Sequence, residues 1–344
     1  RERVWRASAE RGAQAENDTR PIVLELAKIR AEKAALLGYP TWAAYVLDDQ
    51  MAKTPEAAYK ILTDLVPKVV ANAQAEEADI AKLMAADGID GAVQPWDWEY
   101  YAEKVRAERY ALDNAQVKPY FELDRVFNDG MVFAMGQLFG ITLKARPDLP
   151  VYHPDVKAYE VFDADGTSVG LFYADYYARE SKRGGAWMNA FVSQSELLNQ
   201  KPVVVNVMNI AKPADGQPTL LSFDEVSTLF HEFGHGLHGL FSKAKYPSLS
   251  GTAVSRDFVE FPSQFQEDWA LDPKVLANYA KHYETGEPIP AELMEKVLAA
   301  RGFNQGFDSL EYIASALLDL DWHTLKADQI PTDVEAFEKA SLER

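Results

Sequence analysis

Three of the chain's six histidines, His231, His235 and His238, fall within the stretch LFHEFGHGLHGLF. Histidines four apart lie about one turn above each other on a helix and can aim two imidazole nitrogens at a single Zn²⁺. Glu232, directly after the first, is placed to take a proton from a water on the metal's open position. The pattern His-Glu-x-x-His therefore predicts metal-activated hydrolysis, against the plainer alternative of a polar helix face with fortuitous spacing. His238 lies three beyond His235, too far along the helix from His231 for all three to converge. A supporting or packing part is expected for it.

A catalytic zinc needs a third protein ligand. The run RDFVEFPSQFQEDWA downstream offers Asp257, Glu260, Glu267 and Asp268. One could bind the metal while another accepts the second N–H of a ligand histidine. Spacing alone does not choose among the four. The chain has no cysteine, so thiolate ligands, thiol catalysis and disulfide scaffolds are excluded and any metal must sit on His, Asp or Glu.

The element carrying the motif can be read in advance. Ser222 followed three residues later by Glu225 is a capping box before an apolar run. Val226, Phe230, Phe233, Leu237 and Leu240 then make a stripe with helical spacing. Upstream the chain reads as successive helices: Thr19 and Pro21 open one that ends at Gly38, and Thr54 and Pro55 open another that ends at Gly88, with Pro67 inside it. QPWDWEYYAEKVRAERYA and LDRVFNDGMVFAMGQLFG add two more amphipathic stretches. From 141 to 220 the texture changes to ITLKAR, KAYEVFDADGTSVGLFYADYY and KPVVVNVMNI, where DADGTS between β-rich runs signals a hairpin. The expected fold is mainly α with a small mixed sheet. A helical region, 1–140, would form a cleft wall, and a catalytic region, 141–344, would combine the sheet (141–220) with the zinc helices (221–344).

Composition narrows the function further. Apolar residues make up 47% of the 344, enough for a sizeable core. A net charge of −18 and a pI near 4.8 speak against nucleic acid or an anionic membrane as partner. No window approaches the ~18 apolar residues of a membrane helix. Arg1 in place of a starting Met, and a last helix opened by Thr332 and Glu335 that stops without a C-cap, give the expectation of a fragment of a longer protein. The expected compartment is the cytoplasm, with the periplasm as the alternative.

The stretch FHEFGHGLHGLFSKAKYPSLSGTAVSRDFVEFPSQ resembles the core of the thimet-oligopeptidase-like zinc peptidases. PWDWEYYAEKVR, GLFYADYYARESKRGGAWMNAF, PVVVNVMN and RGFNQGFDSLEYIASALLDLDWH are similar to family segments, in family order. The resemblance implies a zincin-type fold lining a deep peptide cleft, one Zn²⁺ on His231, His235 and Glu260, and Glu232 as general base and acid. It makes Asp257 the carboxylate expected to buttress a ligand histidine, with Glu225 a weaker candidate beside His238. SGTAVSRDFVEFPSQ is similar to the peptidyl-dipeptidase (dipeptidyl carboxypeptidase) branch, whereas endopeptidase branches read more like GVPWDAVELPSQ. Release of dipeptides from the C-terminus of short peptides is thereby implied, with endo-oligopeptidase action as the alternative. Gly184, Gly185 and Ala186 are expected to contact substrate, two glycines letting a peptide backbone approach for strand addition. Nothing in 324–344 resembles the family's later His- and Tyr-bearing segment. A second chain or segment completing the site, or a catalytically silent zinc- and peptide-binding fragment, follows as a further expectation.

Overall fold

A computed structural model describes residues 1–110 and 114–343. The principal helices, in chain order, are α1 (Arg20–Leu36), α2 (Pro55–Ala86), α3 (Pro95–Tyr110), α4 (Phe223–Leu240), α5 (Glu260–Glu267), α6 (Gln305–His323) and α7 (Val334–Leu342). The strands are β1 (Thr142–Ala145), β2 (Lys157–Phe162), β3 (Ser168–Tyr177), β4 (Trp187–Val192) and β5 (Val203–Ile210). The fold is mainly helical with one five-stranded mixed sheet, in agreement with the fold class read from the sequence. None of the described helices is long and apolar enough to cross a membrane.

The chain forms two compact units, Arg1–Leu112 with Leu298–Arg344, and Asp113–Val297. The sequence reading drew its boundary at 140 and attached everything after 298 to the catalytic region. In the structure 298–344 clusters with the N-terminal helices, and α6 packs along α2 with a capping contact distant in sequence at its start. Asn304, at the start of α6, makes no side-chain cap. Glu76 on α2 supplies it, accepting from the backbone N–H groups of Gly306 (2.9 Å) and Phe307 (2.8 Å). A carboxylate at a helix N-terminus satisfies exposed donors and opposes the helix dipole. Trp98 on α3 stacks on Phe307 at 4.3 Å and donates its indole N–H to Asn304. Ile80, Met84 and Tyr101 complete that core.

Several local signals hold and two shift. Thr54 accepts from Ala57 N–H as the cap of α2, which runs through Pro67 without ending. Thr19 makes no side-chain cap; its hydroxyl donates to the Gly12 carbonyl. At α7 the cap is Asp333, one residue past Thr332. The stretch LDRVFNDGMVFAMGQLFG contains a π-helical segment, Val126–Val132, a wider winding that helical periodicity does not announce.

In the second unit the sheet order is β1-β2-β3-β5-β4. The β2–β3 hairpin forms as expected, with a bulge between Val161 and Phe162. β3 and β5 are parallel, and β4 lies antiparallel to β5 at the sheet's outer edge. α4 packs across this sheet. Its predicted stripe, Val226, Phe230, Phe233, Leu237 and Leu240, is buried throughout, and Phe233 meets Phe172 of β3 edge to face at 5.0 Å. The capping box is present in both directions: Ser222 Oγ accepts from Glu225 N–H, and the Glu225 carboxylate accepts from Ser222 N–H at 2.7 Å.

Candidate metal centre

Three side chains converge above the sheet. Helical spacing stacks His231 and His235 on one face of α4, with ring centroids 4.9 Å apart. Glu260 is the first residue of α5, and its Oε2 lies 3.2 Å from His231 Nε2 and 3.1 Å from His235 Nε2. All three donor atoms lie within 4.8 Å of one another. Donors ~2.0–2.1 Å from one tetrahedral Zn²⁺ would sit about 3.3 Å apart, so the spacing fits. Gly234 makes the approach possible. A β-carbon there would lie 2.7 Å from Ser263 Cα, closer than real contacts allow, so a side chain would push α5 and Glu260 away.

The proton inventory favours a cation at this point. His231 Nδ1 is 2.7 Å from Glu267 Oε1. A carboxylate accepts, so Nδ1 donates to Glu267 and leaves Nε2 facing Glu260 Oε2. A ring nitrogen and a carboxylate oxygen 3.2 Å apart call for a positive charge between them, a proton on Nε2 or a metal ion in its place. His235 does not readily supply one: burial holds its imidazole below the usual value, although Glu260 opposes this. Burial works to raise the Glu260 carboxyl, but the Ser263 hydroxyl and both imidazoles outweigh it, leaving Glu260 below its ordinary range. Ser263 Oγ donates to Glu260 Oε2 at 3.0 Å. A lone-pair nitrogen and an ionised carboxylate are the forms a metal requires.

Glu232 lines the same cleft of about 430 Å³ as these three residues. The residue is 5% exposed, and burial pushes its pKa up to about 7, opposed by His231 and assisted by Glu260. The unfolded chain releases this proton near 4.5, so the metal-free folded state holds more protons between about 4.5 and 7. Stability should therefore fall as pH rises through that window and level off above it. Glu232→Gln, which does not titrate, should remove a penalty of about 3 kcal/mol at pH 8 and almost none at pH 4.5. Chemical denaturation of both proteins in chelator at the two pH values checks this; equal stability differences at both would contradict it.

The remaining predicted site residues separate. The carboxylate facing His231 Nδ1 is Glu267; Asp257, expected from the sequence to buttress a ligand histidine, is exposed ahead of α5. Glu267 lies seven residues after Glu260, two turns on along the same helix face, and that spacing was the available signal. Glu225 is committed to the capping box. His238 lies edge-on to Phe258 and lines a neighbouring cavity with Leu237 and Phe241. Its Nδ1 is buried without a partner among the described residues, and burial lowers its pKa. Ala186 lines the cleft beside Trp187 and Met188. Gly184 and Gly185 are exposed in the turn leading into β4, where Gly185 has φ +90°.

That turn is held by groups the sequence reading did not single out. Asp175 on β3 is buried and accepts both Arg179 guanidinium nitrogens, at 2.7 and 2.8 Å, and the Tyr152 hydroxyl. Lys182, its side chain 6% exposed, binds the Asp175 carboxylate at 3.2 Å and donates to the carbonyls of Asp175, Tyr177 and Met208. Asn209 donates to the carbonyls of Arg183 (2.6 Å) and Gly185 (2.7 Å). Lys182→Met should cost about 3 kcal/mol or more, because it strips a buried carboxylate and three carbonyls of a shared donor. Urea denaturation measures it; a loss below about 1 kcal/mol would show that the clamp is not structural.

A His-Glu-x-x-His helix, a carboxylate from the next helix and an edge strand beside them make a candidate metal centre of the zincin type. The chain belongs to peptidase family M3, whose family model matches residues 1–342. It is 51% identical over 326 residues to dipeptidyl carboxypeptidase of Escherichia coli K12, covering 95% of this chain and 48% of that protein. The Salmonella typhimurium dipeptidyl carboxypeptidase is 49% identical, covering 99% of this chain and 50% of the relative. Oligopeptidase A of E. coli is 39% identical over 94% of this chain and 49% of its own length. The chain thus spans about half the length of these curated relatives.

Proposed function

We propose that the protein is a zinc-dependent peptidyl-dipeptidase, with Zn²⁺ on His231, His235 and Glu260 and with Glu232 as general base and acid. The observation that carries this reading is the convergence of two imidazole nitrogens and one carboxylate oxygen beside a buried glutamate. Bound there, zinc would supply the Lewis acidity that polarises a scissile carbonyl and acidifies a water. Glu232 takes that water's proton at its carboxylate and returns it to the leaving amine. Burial raises its pKa in the metal-free protein, and a cation bound beside it would favour the ionised form that a base needs. Glu267 keeps the His231 ring aligned, with Nε2 turned toward the metal position.

β4 offers an outer edge next to this cleft, with Ala186 at the cleft wall. In our reading a short peptide pairs with that edge as an added strand, and Gly184–Ala186 present backbone groups to it. The two relatives named dipeptidyl carboxypeptidase support cleavage two residues from a free C-terminus. The relative named oligopeptidase A supports the alternative of internal cleavage. Mass spectrometry of products from one peptide, with its C-terminus free or amidated, separates them. Stepwise dipeptides from the free peptide alone are expected. Equal cleavage of the amide would favour the endo-oligopeptidase. Zinc bound at one equivalent without products would mark a silent binding module.

A further inference from the structure

A metal-binding imidazole is held in place by the hydrogen bond of its other nitrogen. For His231 that partner is Glu267. For His235 the Nδ1 is buried and has no partner among the described residues. Its Nε2 faces Glu260, so as a metal ligand it carries its proton on Nδ1, as a donor lacking an acceptor.

A complementary set of unpaired polar atoms lies beneath the same helix turn. Asn206 on β5 is fully buried, and neither its Oδ1 nor its Nδ2 has a partner among the described residues. Leaving a buried polar group unpaired costs ~1–3 kcal/mol, so two on one amide call for an explanation. Asn206 faces α4: a β-carbon on Gly236, the residue after His235, would lie 3.4 Å from Oδ1 and 3.8 Å from Nδ2. Across the strands Asn206 pairs with Met188, which lines the cleft together with His235. Gly236 itself sets no side chain over the amide, and the Phe233 ring comes within 3.8 Å of the same point. No direct bond joins Asn206 to His235, and a buried water with two to four polar partners is the usual bridge in such a gap.

We propose that Asn206 is a positioning residue for His235, its amide accepting the Nδ1–H through one buried water and so fixing the ring that presents Nε2 to the metal. This rests on the reading of His231, His235 and Glu260 as metal ligands, and the test separates the two. Zn²⁺ affinity is measured by competition with a chelator for wild type, Asn206→Leu, Asn206→Asp and Glu232→Gln, alongside thermal unfolding of each metal-free protein. Asn206→Leu should weaken Zn²⁺ binding by ~10–100-fold without lowering the metal-free melting temperature, since it removes an unpaired amide. Asn206→Asp retains the acceptor and should bind Zn²⁺ as wild type does, as should Glu232→Gln. Should Asn206→Leu not fold, a crystal structure of the wild type decides the matter by showing a water, or a dry gap, between Nδ1 and Oδ1. Equal affinity for wild type and Asn206→Leu, a loss of affinity in Glu232→Gln that matches it, or a dry gap would each overturn the proposal. Failure of the wild type to bind Zn²⁺ would overturn the metal reading as well.

Discussion

Glu232→Gln is expected to lower peptide turnover by ~10²–10⁴-fold, the range that a positioned general base supplies, while Zn²⁺ stays bound at one equivalent. The amide has nearly the volume of the carboxyl, so the cleft and α4 should be undisturbed. It cannot take a proton from water or return one to the leaving amine. Glu232 Oε2 is buried without a hydrogen-bond partner among the described residues, so the substitution breaks no side-chain bond seen there and tests proton transfer in near isolation. Steady-state kinetics with metal analysis on the same sample gives both halves of the result. Full activity with Zn²⁺ bound would remove Glu232 from the mechanism.

His235→Ala should act on the metal instead. His235 contributes one of three protein donors, and four-ligand zinc sites provide ~10–16 kcal/mol in total, so losing one donor should weaken binding on the order of 10²–10³-fold. Activity should vanish after dialysis and return in part only at high added Zn²⁺. The contrast with Glu232→Gln is the informative part: one variant keeps the metal and loses the chemistry, the other loses both. Chelator competition and turnover across a zinc titration check it. Retention of stoichiometric Zn²⁺ through dialysis would exclude His235 as a ligand.

Much of this centre was legible in the sequence because its determinants are local. The capping box at Ser222 and Glu225, the stripe from Val226 to Leu240 and the four-residue histidine spacing all concern one helix, and helical periodicity fixes them. The β2–β3 hairpin was legible through its Asp-Gly turn for the same reason. What stayed hidden depends on contacts between distant segments. Glu76 caps a helix 230 residues away, and no local pattern predicts that 298–344 joins the N-terminal helices. Strand order is equally non-local: the composition of β4 suits a core or an edge strand, and only its pairing with β5 alone places it at the edge. Glu267 is the intermediate case. Its seven-residue offset from Glu260 was readable, but its role depended on how α5 approaches α4, which Gly234 decides. Thr19 and Thr332 show the limit of cap signals, since a neighbouring acceptor or a better-placed Asp333 takes the hydroxyl's place.

The account's central claim is that His231, His235 and Glu260 together hold one catalytic metal. The most direct test is a crystal structure of the Zn²⁺-loaded protein with anomalous data collected on both sides of the zinc absorption edge. The account predicts a single strong peak ~2.0–2.2 Å from His231 Nε2, His235 Nε2 and a Glu260 carboxylate oxygen, with Glu267 still bonded to His231 Nδ1. A peak elsewhere, or a zinc that omits Glu260, would contradict it.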